Sequence, residues 1–319
     1  AVCALGACER LVGVDDFSLD PPPVQALPRL GRTWEPSIEA VVHLRPDVVF
    51  TGRTPPVQQR LQALGLHAVE VDALTIADIE SALRKIDKAL QLHTAEIAIK
   101  NMRQELQEIA STAQAQRPGL PPPRVYIEVD NALYAAGPDS FMGELLSHLG
   151  AENIAAGSST PFPQLTPEYV VRADPDLIIQ SHTAASLHAL AQRPGWGRLR
   201  ALRLGQVCQL SAPETRTLTR PGPRLVEAAR ILARCLGQLG GERLGGRHPD
   251  FCPRTGHEGQ VGFTHQGGAR YVADGQGAHV TGLLGQAQGR QGVGSLAALG
   301  EGHQQAVGAH HRLAIAELG

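Results

Sequence analysis

Along residues 11–73, short apolar runs at 40–42, 48–50 and 69–71 alternate with stretches of helical spacing and are separated by proline or glycine. That texture predicts repeated βα units. Between 75 and 114 the pattern changes: Ile79, Leu83, Ile86 and Leu90, then Ile97, Leu106 and Ile109, recur at helical spacing with no proline or glycine among them. Thr75 with Asp78 three residues on marks a start, and Arg117-Pro118-Gly119-Leu120-Pro121-Pro122-Pro123 marks a stop. One helix of about 38 residues would be roughly 57 Å long. It must run between two lobes or bend within the stretch. Beyond it the βα texture resumes, with strands at 124–129 and 177–179 and helices at 140–149 and 223–236, the last carrying Leu225, Ala229, Leu232 and Leu236.

An internal repeat sets the architecture. Ser37-Ile38-Glu39-Ala40-Val41-Val42-His43-Leu44-Arg45-Pro46-Asp47-Val48-Val49-Phe50 aligns without a gap to Thr166-Pro167-Glu168-Tyr169-Val170-Val171-Arg172-Ala173-Asp174-Pro175-Asp176-Leu177-Ile178-Ile179. Each copy reads as a hydroxyl N-cap, a carboxylate in the first helical turn, an apolar helix face, a Pro-Asp stop and a buried strand. The pattern predicts an α/β protein of two Rossmann-like lobes joined by a long interdomain helix. Residues 1–74 form the N-terminal lobe, 75–116 the link and 117–238 the C-terminal lobe.

Composition changes that picture at its ends. With 319 residues there is room for two lobes, because single cores rarely grow beyond about 250 residues. Glycine, histidine and glutamine crowd residues 239–319, which show no sustained period and read as a disordered or non-native tail. The formal charge of −2, with no cluster of Lys and Arg, excludes the electrostatic footprint of a nucleic-acid partner. No run of eighteen apolar residues could span a bilayer, and no secretory leader opens the sequence. The cysteines, Cys3, Cys8, Cys208, Cys235 and Cys252, are odd in number and widely spaced, so they read as small hydrophobes and not as a disulfide framework. No phosphate loop, Gly-x-Ser-x-Gly elbow or HExxH occurs in 1–238, and the histidines there stand singly, which argues against an enzyme. No cofactor or metal is expected; His310-His311 in the tail lacks ligand spacing.

Several segments, in this order, resemble the periplasmic binding proteins that serve ABC importers for cobalamin, ferric siderophores and haem. They are Leu5-Gly6-Ala7-Cys8-Glu9-Arg10-Leu11-Val12-Gly13-Val14-Asp15, Pro36-Ser37-Ile38-Glu39, Leu44-Arg45-Pro46-Asp47-Val48-Val49, Leu149-Gly150-Ala151-Glu152-Asn153-Ile154, and the second repeat copy. The resemblance covers residues 1–238 and is strongest to the cobalamin-binding member. It implies a corrinoid held by Phe17, Trp34, Tyr134, Phe162 and the polar Arg220. It also implies that Glu39 and Glu168 dock onto arginines of the membrane permease subunits. A corrin, wide and apolar on its faces with an amide fringe, suits such a set. A ferric siderophore would instead want several Arg or Tyr, and Arg53, Arg216 and Arg220 keep that reading open. The implied location is periplasmic or extracytoplasmic, with a lipid anchor left open. The family begins with a strand and loop ahead of the helix that ends at Ala4-Leu5-Gly6. The first lobe is therefore expected to lack an interior strand and to be incomplete, as in a truncated or misjoined product.

Overall fold

Residues 1–182, 187–239 and 313–316 are described by a computed structural model. The repeat takes the same form in both places. In the first copy the Ser37 hydroxyl accepts the Ala40 N–H, helix α1 (Ile38–Leu44) ends on Arg45 in the left-handed region, and a fully buried strand follows at Val48–Thr51. In the second, Thr166 accepts the Tyr169 N–H, the helix Pro167–Ala173 ends on left-handed Asp174, and the buried strand is Leu177–Gln180. Short local signals write both: a cap, a stop and an apolar run.

In chain order the first half holds β1 (Leu11–Gly13), β2 (Gly31–Arg32), β3 (Glu35–Pro36), α1, β4 (Val48–Thr51), α2 (Pro55–Ala63) and β5 (His67–Glu70). Next come α3 (Ile76–Leu90) and α4 (Ala95–Ala115). The second half holds β6 (Arg124–Glu128), α5 (Phe141–His148), β7 (Glu152–Asn153), α6 (Pro167–Ala173), β8 (Leu177–Gln180), α7 (Leu187–Ala191) and α8 (Arg200–Arg203). It closes with β9 (Val207–Gln209), α9 (Ala212–Thr219) and α10 (Leu225–Gly237), and β10 (Leu313–Ala316) lies near the end of the chain. Two four-stranded parallel sheets result, ordered β1-β10-β4-β5 and β7-β6-β8-β9. Strands buried on both faces need near-continuous apolar runs, which Val48-Val49-Phe50 and Val125-Tyr126-Ile127 supply.

Alternation along each strand splits the core. Val48 and Phe50 of β4, with Val125 and Ile127 of β6, join one apolar cluster with Leu83, Ile86, Ile99 and Leu232 of the helices. Val49 faces the other way onto Ile38, Val41 and Leu61, and Tyr126 and Ile178 onto Val170 and Trp196. Helices α3 and α4 are tied to the second half at both ends. The Ile76 N–H donates to Glu144 at 2.6 Å, and the Gln114 amide donates to the His148 carbonyl at 2.9 Å.

Three expectations are corrected. The stretch 75–114 is two helices and not one. The Thr75–Asp78 capping box starts α3 as expected, but Gln91 and His93 take left-handed backbone, and the Asp87 carboxylate accepts the N–H groups of Thr94 and Ala95 at 2.7 and 3.0 Å, which begins α4. Cys3 bonds to Cys8 and Cys208 to Cys235, so four of the cysteines are not free hydrophobes. The second bond joins β9 to α10, buried at both ends, and such a link is worth about 2–4 kcal/mol. Lastly, the first sheet has its interior strand: β10 fills the place between β1 and β4. The rest of the tail reading, and with it Cys252, His310 and His311, falls on 240–312 and 317–319, outside the described residues.

Candidate ligand-binding site

Strand β1 runs into a turn built around Asp15. Its carboxylate, fully buried, accepts the N–H groups of Phe17 and Ser18 at 2.6 and 2.8 Å and the Ser18 hydroxyl at 3.0 Å. From outside, Arg29 donates to the carbonyls of Asp15 and Ser18 at 3.0 and 2.7 Å. Arg220 adds a hydrogen bond to the Phe17 carbonyl and an ion pair with Asp15 at 3.7 Å. A backbone fixed by so many bonds nonetheless leaves the Phe17 ring 41% exposed. Beside it the β2–β3 hairpin carries Trp34 at its tip, 57% exposed and stacked on Phe17 with centroids 5.7 Å apart. Arg32 sits over the same indole at 5.8 Å.

The second half presents Tyr134 comparably. The segments 129–137 and 161–165 pair through Ala135 to Pro163 and Gly137 to Pro161, both at 2.8 Å, with an antiparallel bridge between Tyr134 and Gln164. Gly137 is required there, because a Cβ would stand 2.6 Å from the Thr160 carbonyl. Tyr134 is 39% exposed, whereas Phe162 is half-buried against the main core.

Phe17, Trp34 and Tyr134 are thus the exposed aromatics among the described residues, the first two in turns and Tyr134 in the bridged segment. Phe162 packs against the main core while remaining partly exposed. Arg220 spends its guanidinium on the Asp15 turn, positioning Phe17 from the far half of the chain, and Arg224 reinforces it through Asp20 at 3.0 Å. A cavity of about 520 Å³ lies behind this turn, lined by Val14, Pro22, Phe50, Ile86 and Arg224, and none of the four aromatics lines it. Phe17 and Trp34 together present an open aromatic surface.

Glu39 and Glu168 occupy equivalent exposed positions in the first turns of α1 and α6. Among the described residues no three His, Cys, Asp or Glu side chains gather as a metal set.

One cluster escaped the sequence. Glu128, at the end of β6 and fully buried, is gripped by Arg193 through two 2.8 Å hydrogen bonds, with His182 Nε2 3.1 Å away. Arg193 also lies over Trp196 at 4.5 Å. Burial, with Glu128 second, pushes the neighbouring Tyr126 hydroxyl well above its ordinary value. A carboxylate closing an apolar strand was the available signal, since polar groups at strand C-termini face the functional end of a parallel sheet. Removing one member of a buried pair strands the other. Arg193→Ala is expected to lower stability by about 3–5 kcal/mol in urea denaturation. A loss near zero would mean that Glu128 is not held as a buried charge.

A family model described as periplasmic binding protein matches residues 2–213. The vitamin B12-binding protein of Salmonella typhi is 30% identical over 234 residues, covering 72% of this chain and 83% of the relative. An uncharacterized ABC transporter substrate-binding lipoprotein, YvrC of Bacillus subtilis (strain 168), is 28% identical over 239 residues, covering 72% of this chain and 74% of its own. Among solved structures, the periplasmic heme-binding protein BhuT in complex with two hemes aligns with a TM-score of 0.66 at 26% identity, over 75% of this chain and 94% of that one.

Proposed function

This chain belongs to the periplasmic binding protein family, which is not enzymatic, and from that premise we propose that it delivers a corrinoid to an ABC importer. The observation that carries the ligand reading is the stacked Phe17–Trp34 pair, exposed on a turn whose backbone is fixed by Asp15, Arg29 and Arg220. Exposing apolar rings on a rigid frame is unfavourable in isolation and favourable once a flat partner covers them. With 41% of Phe17 and 57% of Trp34 exposed, the part of each ring of about 150–250 Å² that is left to cover offers about 2–3 kcal/mol gross at roughly 25 cal/mol/Å², before ordering costs. Similarity to a vitamin B12-binding protein supports the corrinoid, and similarity to a heme-binding protein supports the runner-up, a haem, which is also a flat macrocycle.

The working place is extracytoplasmic. Two disulfides persist only under oxidising conditions, and one relative is named a lipoprotein. Glu39 and Glu168 are the docking charges: like residues on like elements suit a permease with twofold character.

Calorimetric titration with cyanocobalamin, haemin and a ferric siderophore tests the ligand. Saturable heat at micromolar concentration with cyanocobalamin, and little with the others, supports the proposal. Binding of haemin alone moves the assignment to haem, and heat with only the siderophore rejects both macrocycles.

A further inference from the structure

Strand β6 ends on Glu128, and the loop that presents Tyr134 begins at the next residue. That loop folds straight back onto the strand end. Glu128 bridges Ala135, the Val129 N–H donates to the Tyr134 carbonyl at 2.8 Å, and the Ala136 N–H donates to the Ile127 carbonyl at 3.1 Å. Leu133, just before Tyr134, has left-handed backbone with φ of 65°, which a bulky side chain keeps only where its surroundings hold it. Glu128 is therefore the root of the loop, and two further segments grip it. Its carbonyl accepts the Ser181 N–H and hydroxyl at 3.0 and 3.1 Å, and its carboxylate takes both prongs of Arg193 at 2.8 Å. Arg193 is itself fixed across the fully buried Trp196 ring, which packs edge-on against Tyr126 of the same strand.

We propose that the Glu128–Arg193 pair is a positioning device for ligand recognition: it fixes the strand end from which loop 129–134 springs, and so holds Tyr134 at the surface in one place. Stability alone does not call for a charge pair here, because apolar side chains of similar volume in such a position are commonly as stable or more so. What the pair adds is direction. A planar guanidinium bonded twice to a carboxylate fixes the orientation of both groups, whereas apolar contacts leave a side chain free to slide. The arrangement recurs in the first half, where a buried carboxylate and an arginine from later in the chain, Asp15 and Arg220, stand behind Phe17. Glu128 and Arg193 are positioning residues, and they act through Tyr134. That Tyr134 meets a ligand rests on the proposed function; that the pair fixes its loop does not.

Amide hydrogen exchange on the ligand-free, full-length chain separates positioning from plain stability. Glu128→Leu combined with Arg193→Met removes both charges together, so neither is stranded, and the urea midpoint should stay at or above that of wild type. In that variant the Val129, Ala135 and Ala136 amides should exchange at least about tenfold faster, while those of 177–180 stay within about twofold of wild type. Arg193→Lys, which keeps the charge and loses the fork, gives an independent reading if the double variant does not fold. The same three amides should then quicken at least about threefold with 177–180 unchanged. Wild-type rates at 129, 135 and 136 in either folded variant would overturn the proposal, because the loop would stand without the pair. So would an equal acceleration at 177–180, the mark of a general loosening of the sheet. A failed ligand titration leaves a positive exchange result standing, and unchanged exchange leaves the ligand reading standing.

Discussion

Trp34→Ala is expected to weaken ligand binding by about 2–4 kcal/mol, roughly 30- to 700-fold, while leaving the unfolding midpoint within the range of an ordinary surface change. The indole is 57% exposed, and the stacking contact it makes is with Phe17, itself an exposed ring. Truncation therefore removes little that the folded chain uses alone. In the complex the same truncation removes a broad apolar face, and hot-spot losses of that size belong to aromatic anchors. Phe162→Ala should behave in the opposite way, because that ring packs against the main core. It should cost stability first and affinity only secondarily. Calorimetry paired with thermal unfolding separates the two. An affinity unchanged in Trp34→Ala would remove the indole from the site.

Glu39→Arg combined with Glu168→Arg should reduce ligand uptake through the reconstituted importer at least about tenfold while ligand affinity stays within about twofold. Both side chains are exposed at the starts of seven-residue helices, and neither is part of the aromatic surface. Each carboxylate also interacts favourably with its helix N-terminus, an effect worth about 0.3–1 kcal/mol. The double reversal therefore carries a modest stability cost that a melt would register. That cost cannot account for a tenfold transport loss in a protein that still binds its ligand. Uptake equal to wild type in the double variant would falsify the docking role.

The repeat was legible because everything that builds it is local. Ser37 and Thr166 cap, Arg45 and Asp174 turn left-handed before proline, and an apolar run enters the sheet. The exposed aromatics were also readable, since Phe17, Trp34 and Tyr134 sit among turn-forming residues, though only the structure shows that Phe17 and Trp34 stack. The break between α3 and α4 was hidden because Gln91 and His93 carry no glycine or proline signal; the Asp87 carboxylate, bonding seven and eight residues onward, makes it. The Cys208–Cys235 bond depends on β9 lying against α10, which spacing alone does not reveal. Strand β10 was hardest to see. Four apolar residues in a glycine-rich surround give no period, and their partners, Leu11 and Val48, lie at the other end of the sequence. The contact of Arg220 with the Phe17 carbonyl spans the two halves of the chain, which spacing alone does not reveal.

The fluorescence of Trp34 tests the central claim most directly, because the chain has two tryptophans and the other, Trp196, is fully buried. Titrating wild type and Trp34→Phe with cyanocobalamin should give saturable one-to-one quenching in the first and most of that signal missing in the second. Wild-type emission that stays constant through micromolar cyanocobalamin, haemin and ferric siderophore alike would contradict a flat ligand seated on the Phe17–Trp34 surface.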